Sequence, residues 1–401
     1  MRIAFISYEF PPDTAFGGIA TYIGQVSIMM HKRGHSVEVF TASEKKIGYH
    51  NLNGIGVNYI TTIDRETFKD LVLPIFMIRH QEMPFDIVES PEYNADGLRI
   101  KEKFTNLPFT VKLHTPKFLI DRLNKNIPIV HWLMKIRILI AGYRRLKNPN
   151  RYWKYERKKD LEYKLVKISD LITTPSVSLG CIVSKEWKIP AKKIITIPYP
   201  FIPPLALLSI PVENDLKTIT YMGRLESRKG VQIFINVIPV IAQKYPEFIF
   251  CFVGKDSIYP GTALTMKEFL LTQLNKHTSR LKFIDHIPQE KISQILKESS
   301  ICIFPSVWEN FPNVCLEAMS AGRAIIASRN GGMKDMLEYP LCGILVDPTS
   351  SEEILAAIEK LICNREFRLS IGQQARQSVL KKYNAHKIGE LIESYYLPLL
   401  A

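Results

Sequence analysis

Short apolar segments alternate with longer amphipathic ones along almost the whole chain, and this alternation constrains the fold more than any other feature. In the first half, strands are predicted at Arg2–Ser7, Ser36–Thr41, Val57–Thr61, Asp86–Glu89, Phe109–His114 and Leu171–Thr174. In the second half, they are predicted at Thr218–Met222, Phe248–Val253, Leu281–Ile284, Ile301–Phe304, Ala324–Ser328 and Gly343–Val346. Strands that alternate with helices form parallel sheets covered by helices. The sequence therefore predicts an α/β protein with parallel sheets.

A proline-rich stretch interrupts this alternation near the middle of the chain. It reads Ile197-Pro198-Tyr199-Pro200-Phe201-Ile202-Pro203-Pro204 and cannot continue a helix or a central strand. A chain of 401 residues also exceeds one ordinary hydrophobic core. Two domains are therefore predicted, residues 1–200 and 201–383, joined by this stretch. Helices are predicted at Ile19–Lys32, Ser351–Ile362, Glu366–Lys382 and, at the end of the chain, Ala385–Leu400.

The positive charge of the chain is concentrated in one segment. The formal net charge is +14, yet residues 101–200 contain 22 Lys+Arg against 7 Asp+Glu, so the other residues are close to neutral together. The basic segment, residues 117–167, contains 15 Lys+Arg and 4 Asp+Glu. Three interpretations stay open: a helical insertion that meets an anionic membrane surface, a core helix followed by a solvated basic helix, or a cradle for an acidic acceptor. No nucleic-acid module surrounds the segment, so nucleic acid is not expected as a partner.

Neither a membrane-spanning helix nor a secretory leader is predicted. The sequence has no run of about 18 uncharged apolar residues, and the apolar start Met1–Ile6 soon reaches Glu9 and two prolines. The 6 cysteines stand singly and are predicted to be buried and reduced. We therefore expect a cytoplasmic protein, attached peripherally to the inner face of the membrane if the basic segment meets lipid.

Two glutamates, Glu309 and Glu317, bracket the segment with the strongest functional signal. It follows the apolar run Ile301–Pro305 and is predicted as a turn and then a helix that opens at Pro312. Free N–H groups at a helix start attract anions and polar oxygens. Two carboxylates held apart around such a start suit a ligand with hydroxyls in two places and phosphate between them, as in a nucleotide sugar. The alternative is a surface turn followed by a solvated helix glutamate.

A basic glycine loop precedes this segment by about 80 residues. It runs from Gly223 to Gly230 at the end of a predicted strand and contains Arg224, Arg228 and Lys229. An arginine can bind two phosphate oxygens at once, and a lysine adds a point charge. Both segments follow strands that could lie in one parallel sheet. Alone, such a loop is a weak signal because basic loops are mostly solvated, but together with the glutamate segment it becomes a strong one.

In the first domain, three features stand at strand ends, where α/β folds bind ligands. Gly17-Gly18 follows the first strand, and glycines there let a phosphate or a sugar approach the backbone, although an ordinary turn is the alternative. His114 ends a predicted strand and is either a ligand contact or a packed histidine. Glu89 ends another strand and is either a hydrated carboxylate or a contact to an acceptor.

Together these motifs resemble the retaining nucleotide-sugar glycosyltransferases of family 4. The resemblance is carried by Pro11-Pro12, Gly17-Gly18, Thr21-Tyr22, the segment Arg33–Val39, the loop Gly223–Gly230, Val253-Gly254, the segment Glu309–Glu317, Gly331-Gly332 and Gly343–Val346. It extends over nearly the whole chain, and the combination is specific although each piece alone is not. It implies a GT-B-like fold in which two Rossmann-like domains face an interdomain cleft. The final helix, 384–401, would cross back to the first domain.

The resemblance also implies functional residues. The donor-binding residues would be Gly17, Gly18, Arg224, Lys229, Ile287, Glu309, Phe311, Asn313, Val314 and Glu317, and the catalytic residues would be His114, Arg224, Lys229 and Glu309. Arg224 and Lys229 are expected on the donor diphosphate, and His114 near the reacting carbon of the donor sugar. Glu309 and the amides near it would hold the sugar hydroxyls. Glu317 would take the ribose hydroxyls, and Ile287 would line the base pocket.

The sequence contains no Asp-x-Asp pair that could hold a divalent ion on the diphosphate. Arg224 and Lys229 would supply that charge instead, so neither a metal nor a cofactor is expected beside the nucleotide-sugar substrate. The expected acceptor is a hydroxyl of a sugar, lipid-linked or glycan molecule, in cell-surface polysaccharide or glycolipid synthesis. Transfer to a soluble small molecule, a nucleotide-sugar epimerase on the same fold and a catalytically silent binding protein are the alternatives.

Overall fold

The structure is a computed structural model that describes residues 1–14, 17–125, 155–260, 262–285, 287–338 and 341–400. It confirms the α/β class, because the described chain divides into two units that each contain a largely parallel sheet. The first unit contains Met1–Ile120, Glu156–Ile202 and Lys381–Ala401, and the second is built on Pro203–Leu380. The central part of the basic segment, 126–154, lies outside the described residues.

An eight-stranded sheet forms the centre of the first unit. Its strands are β1 (Arg2–Ile6), β2 (Ser36–Ser43), β3 (Gly48–Leu52), β4 (Ile55–Thr61), β5 (Ile87–Pro91), β6 (Phe109–Lys112), β7 (Leu171–Thr174) and β8 (Ile194–Thr196). They lie in the order β3-β4-β2-β1-β5-β6-β7-β8, and only the β3–β4 pair is antiparallel. Every residue of β1, β5 and β6 is buried, as expected for central parallel strands. The turns after these three neighbouring strands start at one edge of the sheet.

The helices of the first half cover this sheet through apolar faces. They are α1 (Gly18–Lys32), α2 (Arg65–Glu82), α3 (Leu98–Lys103), α4 (Lys117–Lys125), α5 (Leu161–Ile168) and α6 (Val177–Trp187). In α1, the buried residues Ile19, Ile23, Val26 and Met30 recur every three or four positions, which places them on one face. This face, and not the glycine turn before it, fixes the helix on the sheet.

The second unit contains a six-stranded sheet in which all neighbouring strands are parallel. Its strands are β9 (Thr218–Met222), β10 (Ile249–Val253), β11 (Leu281–Ile284), β12 (Ile301–Phe304), β13 (Ala324–Ser328) and β14 (Ile344–Val346), in the order β11-β10-β9-β12-β13-β14. The helices are α7 (Leu205–Leu208), α8 (Phe234–Lys244), α9 (Met266–Gln273), α10 (Ile292–Lys297), α11 (Asn313–Ser320), α12 (Met333–Leu337), α13 (Ser351–Cys363) and α14 (Arg365–Lys382).

Two strands of the first sheet, β3 and β8, were absent from the sequence-based prediction. All five residues of β3 are exposed, so the strand shows no apolar alternation. The sequence did contain a signal for it, because Asn53 and Gly54 form the hairpin turn between β3 and β4 with positive φ angles. Strand β8 has three residues at the sheet edge, too few for a period to be recognised.

The proline-rich stretch is packed against the first unit for most of its length. Ile197, Tyr199 and Phe201 are buried, and the Phe201 N–H donates to the Tyr383 carbonyl at 2.8 Å. The division between the two units falls directly after Ile202. Only the last two prolines of the stretch therefore belong to the second unit.

The chain returns to the first unit through α15 (Ala385–Tyr396). Asn384 caps this helix by accepting from the Lys387 N–H at 2.9 Å. The Arg33 guanidinium donates to both carboxylate oxygens of Glu393 at 2.7 Å, and His35 contacts the same carboxylate at 2.8 Å. These contacts attach α15 to the end of α1 and the start of β2.

We predict that the Arg33–Glu393 contact makes this attachment sensitive to acid. Its hydrogen bond lowers the pKa of Glu393 from 4.5 to about 2. A depressed carboxyl pKa stabilises the fold above the unfolded-state value, and the stabilisation is lost as the pH falls from about 4.5 towards 2. Glu393→Gln should therefore lower the melting temperature at pH 6, by the equivalent of roughly 1–3 kcal/mol, and the difference from wild type should shrink on acidification.

Glu390→Gln is the matched control, because Glu390 lies on the same helix and forms an ion pair with the exposed His386. Thermal melts from pH 6 to pH 3 would decide. A constant melting-temperature difference between wild type and Glu393→Gln over that range would contradict the prediction.

Candidate active site

Three loops of the second unit start at the same edge of its sheet. Strand β12 pairs in parallel with β9 on one side and β13 on the other. The loops that follow these strands, residues 223–230, 305–312 and 329–332, therefore lie side by side at the carboxyl edge. The structure thus brings together the basic glycine loop, the glutamate segment and the Asn-Gly-Gly turn.

Hydrogen bonds connect these three loops. The Val307 N–H donates to the Arg228 carbonyl at 2.9 Å, which joins the glutamate segment to the basic loop. The Gly332 N–H donates to the Glu309 carbonyl at 2.8 Å. The Asn330 side-chain amide donates to the Val307 carbonyl at 3.1 Å, so the third loop is joined to the second twice. The backbone around Glu309 is therefore fixed by the protein itself.

Two glycines make this close approach of the loops possible. Gly230 has a φ of +72°, and a Cβ there would collide with the Pro305 carbonyl oxygen. Gly331 has a φ of +88° and pairs with Glu309, whose carbonyl oxygen would collide with a Cβ at this position. Both sites exclude a side chain for two reasons, backbone conformation and lack of space. These glycines serve loop packing and not ligand approach.

The loops place a cluster of opposite charges around Glu309. The Lys229 ammonium donates to Glu309 Oε1, and Arg228 Nη1 lies 3.4 Å from the same oxygen. Arg228 Nη2 also donates to Glu226 at 2.8 Å. The Glu309 side chain is only 13% exposed. Burial alone would raise the pKa of Glu309, but the Lys229 and Arg228 cations lower it below its usual value. Glu309 is therefore an ionised acceptor at neutral pH.

Arg224 and Arg228 differ from the sequence-based expectation in their positions. Arg224, predicted for the diphosphate, has a side chain that is 60% exposed and lies 3.4 Å from Glu226. Arg228 was not predicted, yet it contacts both glutamates of the cluster. Its position directly before Lys229 was the available signal, although only the fold shows that the side chain turns towards Glu309.

Helix α11 carries Glu317 and starts one residue later than predicted. Pro312 is the N-cap residue with an extended ψ of 123°, and the helix begins at Asn313. The prediction of Pro312 inside the first turn was wrong, because its extended ψ makes it the N-cap residue. Its carbonyl accepts the first bond of the helix, from the Cys315 N–H at 3.0 Å. Asn313 and Val314 are half-buried at the helix start. Phe311 and Glu317 are buried.

A cavity of about 150 Å³ lies at the ends of β10 and β11. It is lined by Leu225, Gly254, Asp256, Lys267, Phe283, Ile284 and Asp285. Ile287, the residue predicted for the base pocket, lies two positions beyond Asp285 and is not among the lining residues. An isolated parallel bridge between Leu225 and Asp256 joins the loop after β9 to the loop after β10, and both residues line the cavity.

In the first unit, Gly17 and Gly18 form the start of α1. Gly17 is the N-cap residue with an extended φ of −176°, which any residue adopts. A Cβ at either glycine would meet no atom within 4 Å. Neither the backbone nor the packing of the described residues therefore requires glycine here, and the turn presents an open stretch of backbone.

His114 lies two residues beyond the end of β6, and its main chain and side chain are both held. Both carboxylate oxygens of the buried Glu92 accept from the His114 N–H, at 2.9 and 2.8 Å. The ring nitrogen Nδ1 donates to the Lys112 carbonyl at 3.0 Å. The imidazole packs against the rings of Tyr22 and Tyr199, with both centroid distances at 5.3 Å. These contacts leave the histidine little freedom.

Glu89 is neither of the two things that the sequence suggested. It is 1% exposed, so it is not a hydrated strand-end carboxylate. The hydroxyl of Tyr22 donates to one of its oxygens at 2.8 Å, and the hydroxyl of Tyr396 donates to the other. It therefore cannot serve as a contact to an acceptor. The sequence carried no signal for this, since Tyr396 is 307 residues away.

In the part of the chain that the structure describes, no group of three or more His, Cys, Asp or Glu residues is placed to hold a metal ion. None of the helices in those ranges has the length and apolar character that a bilayer crossing requires.

Two protein-family profiles match the chain, and together they cover most of it. The profile described as "Glycosyltransferase Family 4" matches residues 16–201, and "Glycosyl transferases group 1" matches residues 209–378. An uncharacterized glycosyltransferase of Methanocaldococcus jannaschii is 24% identical over 99% of this chain and 98% of its own length. A D-inositol 3-phosphate glycosyltransferase of Corynebacterium jeikeium is 28% identical over 43% of this chain and 41% of its own length.

Solved structures show the same fold at low sequence identity. Sucrose-phosphate synthase from Thermosynechococcus elongatus has a TM-score of 0.71 and 18% identity, over 100% of this chain and 99% of that one. The Anabaena protein HepE in complex with UDP has a TM-score of 0.68 and 16% identity, over 99% and 100%. A lipopolysaccharide outer core galactosyltransferase, WaaB, has a TM-score of 0.66 and 17% identity, over 99% and 100%.

Proposed function

The chain belongs to the glycosyltransferases of the family 4 type with a GT-B fold, and we propose that it transfers a hexose from a nucleotide-sugar donor to a hydroxyl acceptor with retention of configuration. The observation that carries the proposal is the ion cluster around Glu309 at the carboxyl edge of the second sheet. It combines a fixed carboxylate with cations in the place where α/β folds bind ligands.

In this proposal the cluster binds both the diphosphate and the sugar of the donor. Lys229 and the exposed Arg224 bind the diphosphate oxygens, and Arg228 remains with the two glutamates. Lys229 then lies between a phosphate oxygen and Glu309, so phosphate binding does not require the Glu309 contact to be lost. Glu309, kept ionised by these cations, accepts hydrogen bonds from the sugar hydroxyls.

Helix α11 supplies the remaining donor contacts. The N–H groups of Asn313 and Val314 lie at its first positions and carry the positive end of the helix dipole, which suits sugar or phosphate oxygens. Phe311 precedes them. Glu317 accepts from the ribose hydroxyls, and Ile287 borders the base. The cavity lined by Phe283 and Asp285 is formed by residues close to Ile287 in sequence, and we assign it to the base.

Catalysis in this proposal is electrostatic. As the bond to the leaving diphosphate breaks, charge develops on its oxygens, and Arg224 and Lys229 stabilise it without a metal ion. The acceptor oxygen forms its bond to the anomeric carbon on the face from which the diphosphate departs, and a leaving phosphate oxygen takes the acceptor's proton, which gives retention. By the resemblance to family 4, His114 and the open Gly17–Gly18 backbone are proposed as further contacts to the donor.

We predict that Lys229→Ala and Arg224→Ala each cut turnover at least tenfold. A charge-assisted contact in a protein site is worth about 1.5–3 kcal/mol, which corresponds to this loss. The measurement is nucleotide release from a panel of nucleotide sugars, with Lys244→Ala as control, because Lys244 forms an exposed ion pair with Glu359 on α13. Wild-type rates for both variants at scarce and saturating donor would contradict the assignment.

Turnover should continue in EDTA. The absence of an Asp-x-Asp pair and the presence of three cations in the loop after β9 motivate this expectation. The test is nucleotide release by protein that has been dialysed against the chelator, compared with the same sample after Mg²⁺ or Mn²⁺ is added. Activity that disappears in EDTA and returns with either ion would show that the diphosphate site is wrongly assigned.

Two classes of acceptor are candidates for this transfer. A cell-surface polysaccharide or glycolipid acceptor is favoured by the basic segment 117–167, whose net charge suits an anionic membrane surface or an acidic acceptor. The similarity to an inositol phosphate glycosyltransferase and to sucrose-phosphate synthase favours a second candidate, transfer to a soluble small molecule.

Vesicle sedimentation tests the membrane alternative. If the basic segment meets lipid, the protein should sediment with vesicles rich in acidic lipid, and salt should weaken the binding because exposed charges are screened over about 10 Å at 0.1 M. Replacing Arg144, Arg145, Lys147 and Arg151 with Gln should reduce binding while donor affinity stays unchanged. The matched control replaces the exposed Lys192, Lys193, Lys276 and Lys297, which removes equal charge elsewhere. Equal loss in both variants, or no binding to acidic vesicles, would overturn the membrane reading.

A further inference from the structure

A buried carboxylate in the first unit connects the C-terminal helix to the aromatic pocket around His114. Glu89 lies in the middle of β5, Tyr22 lies in α1 and Tyr396 is the last residue of α15. Both hydroxyls donate to Glu89, one to each carboxylate oxygen. We propose that Glu89, held by Tyr396, is a positioning residue for His114. The inference rests on the proposed function in one respect, the role of His114 beside the donor sugar.

The path from Glu89 to His114 runs through Tyr22. While the Tyr22 hydroxyl is fixed by Glu89, its ring meets the His114 imidazole edge-on, with an interplanar angle of 72°. Tyr199 closes the pocket, because its ring lies 4.9 Å from that of Tyr22 and 5.3 Å from the imidazole. The three rings therefore pack on one another, and a rotation of Tyr22 would change the wall against which His114 rests.

A carboxylate at position 89 suits the two tyrosine hydroxyls that donate to it. Two phenol hydroxyls each need an acceptor, and a carboxylate offers two acceptor oxygens and no donor. A glutamine would offer one oxygen and turn an N–H group towards the second phenol. The negative charge is balanced by the fully buried Lys112, whose ammonium donates to the Ile197 carbonyl at 2.5 Å.

Lys112 also contacts the aromatic rings of the His114 pocket. Its ammonium lies over a face of each of two rings, 5.3 Å from the centroid of Tyr22 and 5.4 Å from that of Tyr199. Burial lowers the pKa of Lys112 to about 7 and raises that of Glu89, while each charge favours the ionised form of the other. Glu89 thus holds Tyr22 by its hydroxyl, and Lys112 lies over the face of the same ring.

Attachment of the C-terminal helix alone does not explain the Tyr396 hydroxyl. Helix α15 is already fixed by the two-pronged contact of Arg33 with Glu393 and by the buried Ile388 and Ile392. The Tyr396 hydroxyl adds a contact three residues after Glu393, at the last residue of the helix. That contact is made to Glu89, the carboxylate that also accepts from Tyr22 beside His114.

The experiment compares three single variants with wild type by two independent measurements. Tyr396→Phe removes only the hydroxyl that holds Glu89. Tyr395→Phe makes the same change at the half-buried neighbouring residue. Arg33→Gln removes the contact between α1 and Glu393 of α15 without touching Glu89. The first measurement is the ¹³C-labelled histidine Cε1–H signal of His114 in NMR, assigned by its loss in His114→Asn. The second is kcat and donor KM from nucleotide release.

Tyr396→Phe is expected to shift the His114 signal and to lower kcat about three- to tenfold, the size of one hydrogen bond, with donor KM unchanged. Tyr395→Phe and Arg33→Gln should leave both quantities at wild-type values, even if Arg33→Gln lowers the melting temperature. An unmoved His114 signal in Tyr396→Phe would overturn the inference whether or not the protein is active. A shifted signal with wild-type kcat, or an equal kcat loss in Arg33→Gln, would also overturn it. If wild type consumes no donor at all, the proposed function fails separately, and the NMR comparison still decides whether Tyr396 positions His114.

Discussion

The parallel pairing of β12 with both β9 and β13 is the constraint on which the candidate active site depends. Parallel neighbours deliver their carboxyl ends to one edge, so loops that are about 80 residues apart in sequence become adjacent. Adjacency alone would not bring Lys229 to Glu309. The loops must also lie in contact, and this requires Gly230 and Gly331, where any side chain would collide with a neighbouring carbonyl. The electrostatics of the site thus follow from two residues that carry no charge.

The two units stabilise a buried glutamate in different ways, and the difference matches the use proposed for each. Glu309 is paired with Lys229 and Arg228, cations that are themselves partly exposed. Such a cluster can exchange partners when an anionic ligand arrives. Glu89 is instead held by two phenols and lies near a lysine that is completely buried. A group enclosed in this way cannot exchange partners cheaply, because an unsatisfied buried charge costs several kcal/mol. It suits a positioning function.

The fold was largely predictable because its signals are local. Buried parallel strands are mostly apolar runs, and Thr218–Met222, Ile301–Phe304 and Ala324–Ser328 were predicted with the bounds that the structure shows. The exposed strand β3 has no such run, and its Asn53-Gly54 turn was the signal that was overlooked. The site was predictable only to the level of loops. Which cation contacts Glu309, and whether Glu89 meets solvent, depend on side-chain packing between distant segments such as Tyr396 and β5.

Two contacts that hold the C-terminal helix α15 on the first unit differ in their response to pH and salt. The Arg33–Glu393 pair is about one-fifth exposed, so acid or salt can reach it. The Tyr396–Glu89 hydrogen bond, three residues further along the helix, is buried, where screening is weak and the low dielectric strengthens the interaction. Weakening the exposed contact would loosen the helix before it disturbed the buried one. The His114 pocket is therefore insulated from changes at the surface, since the contact that reaches it is the one least accessible to solvent.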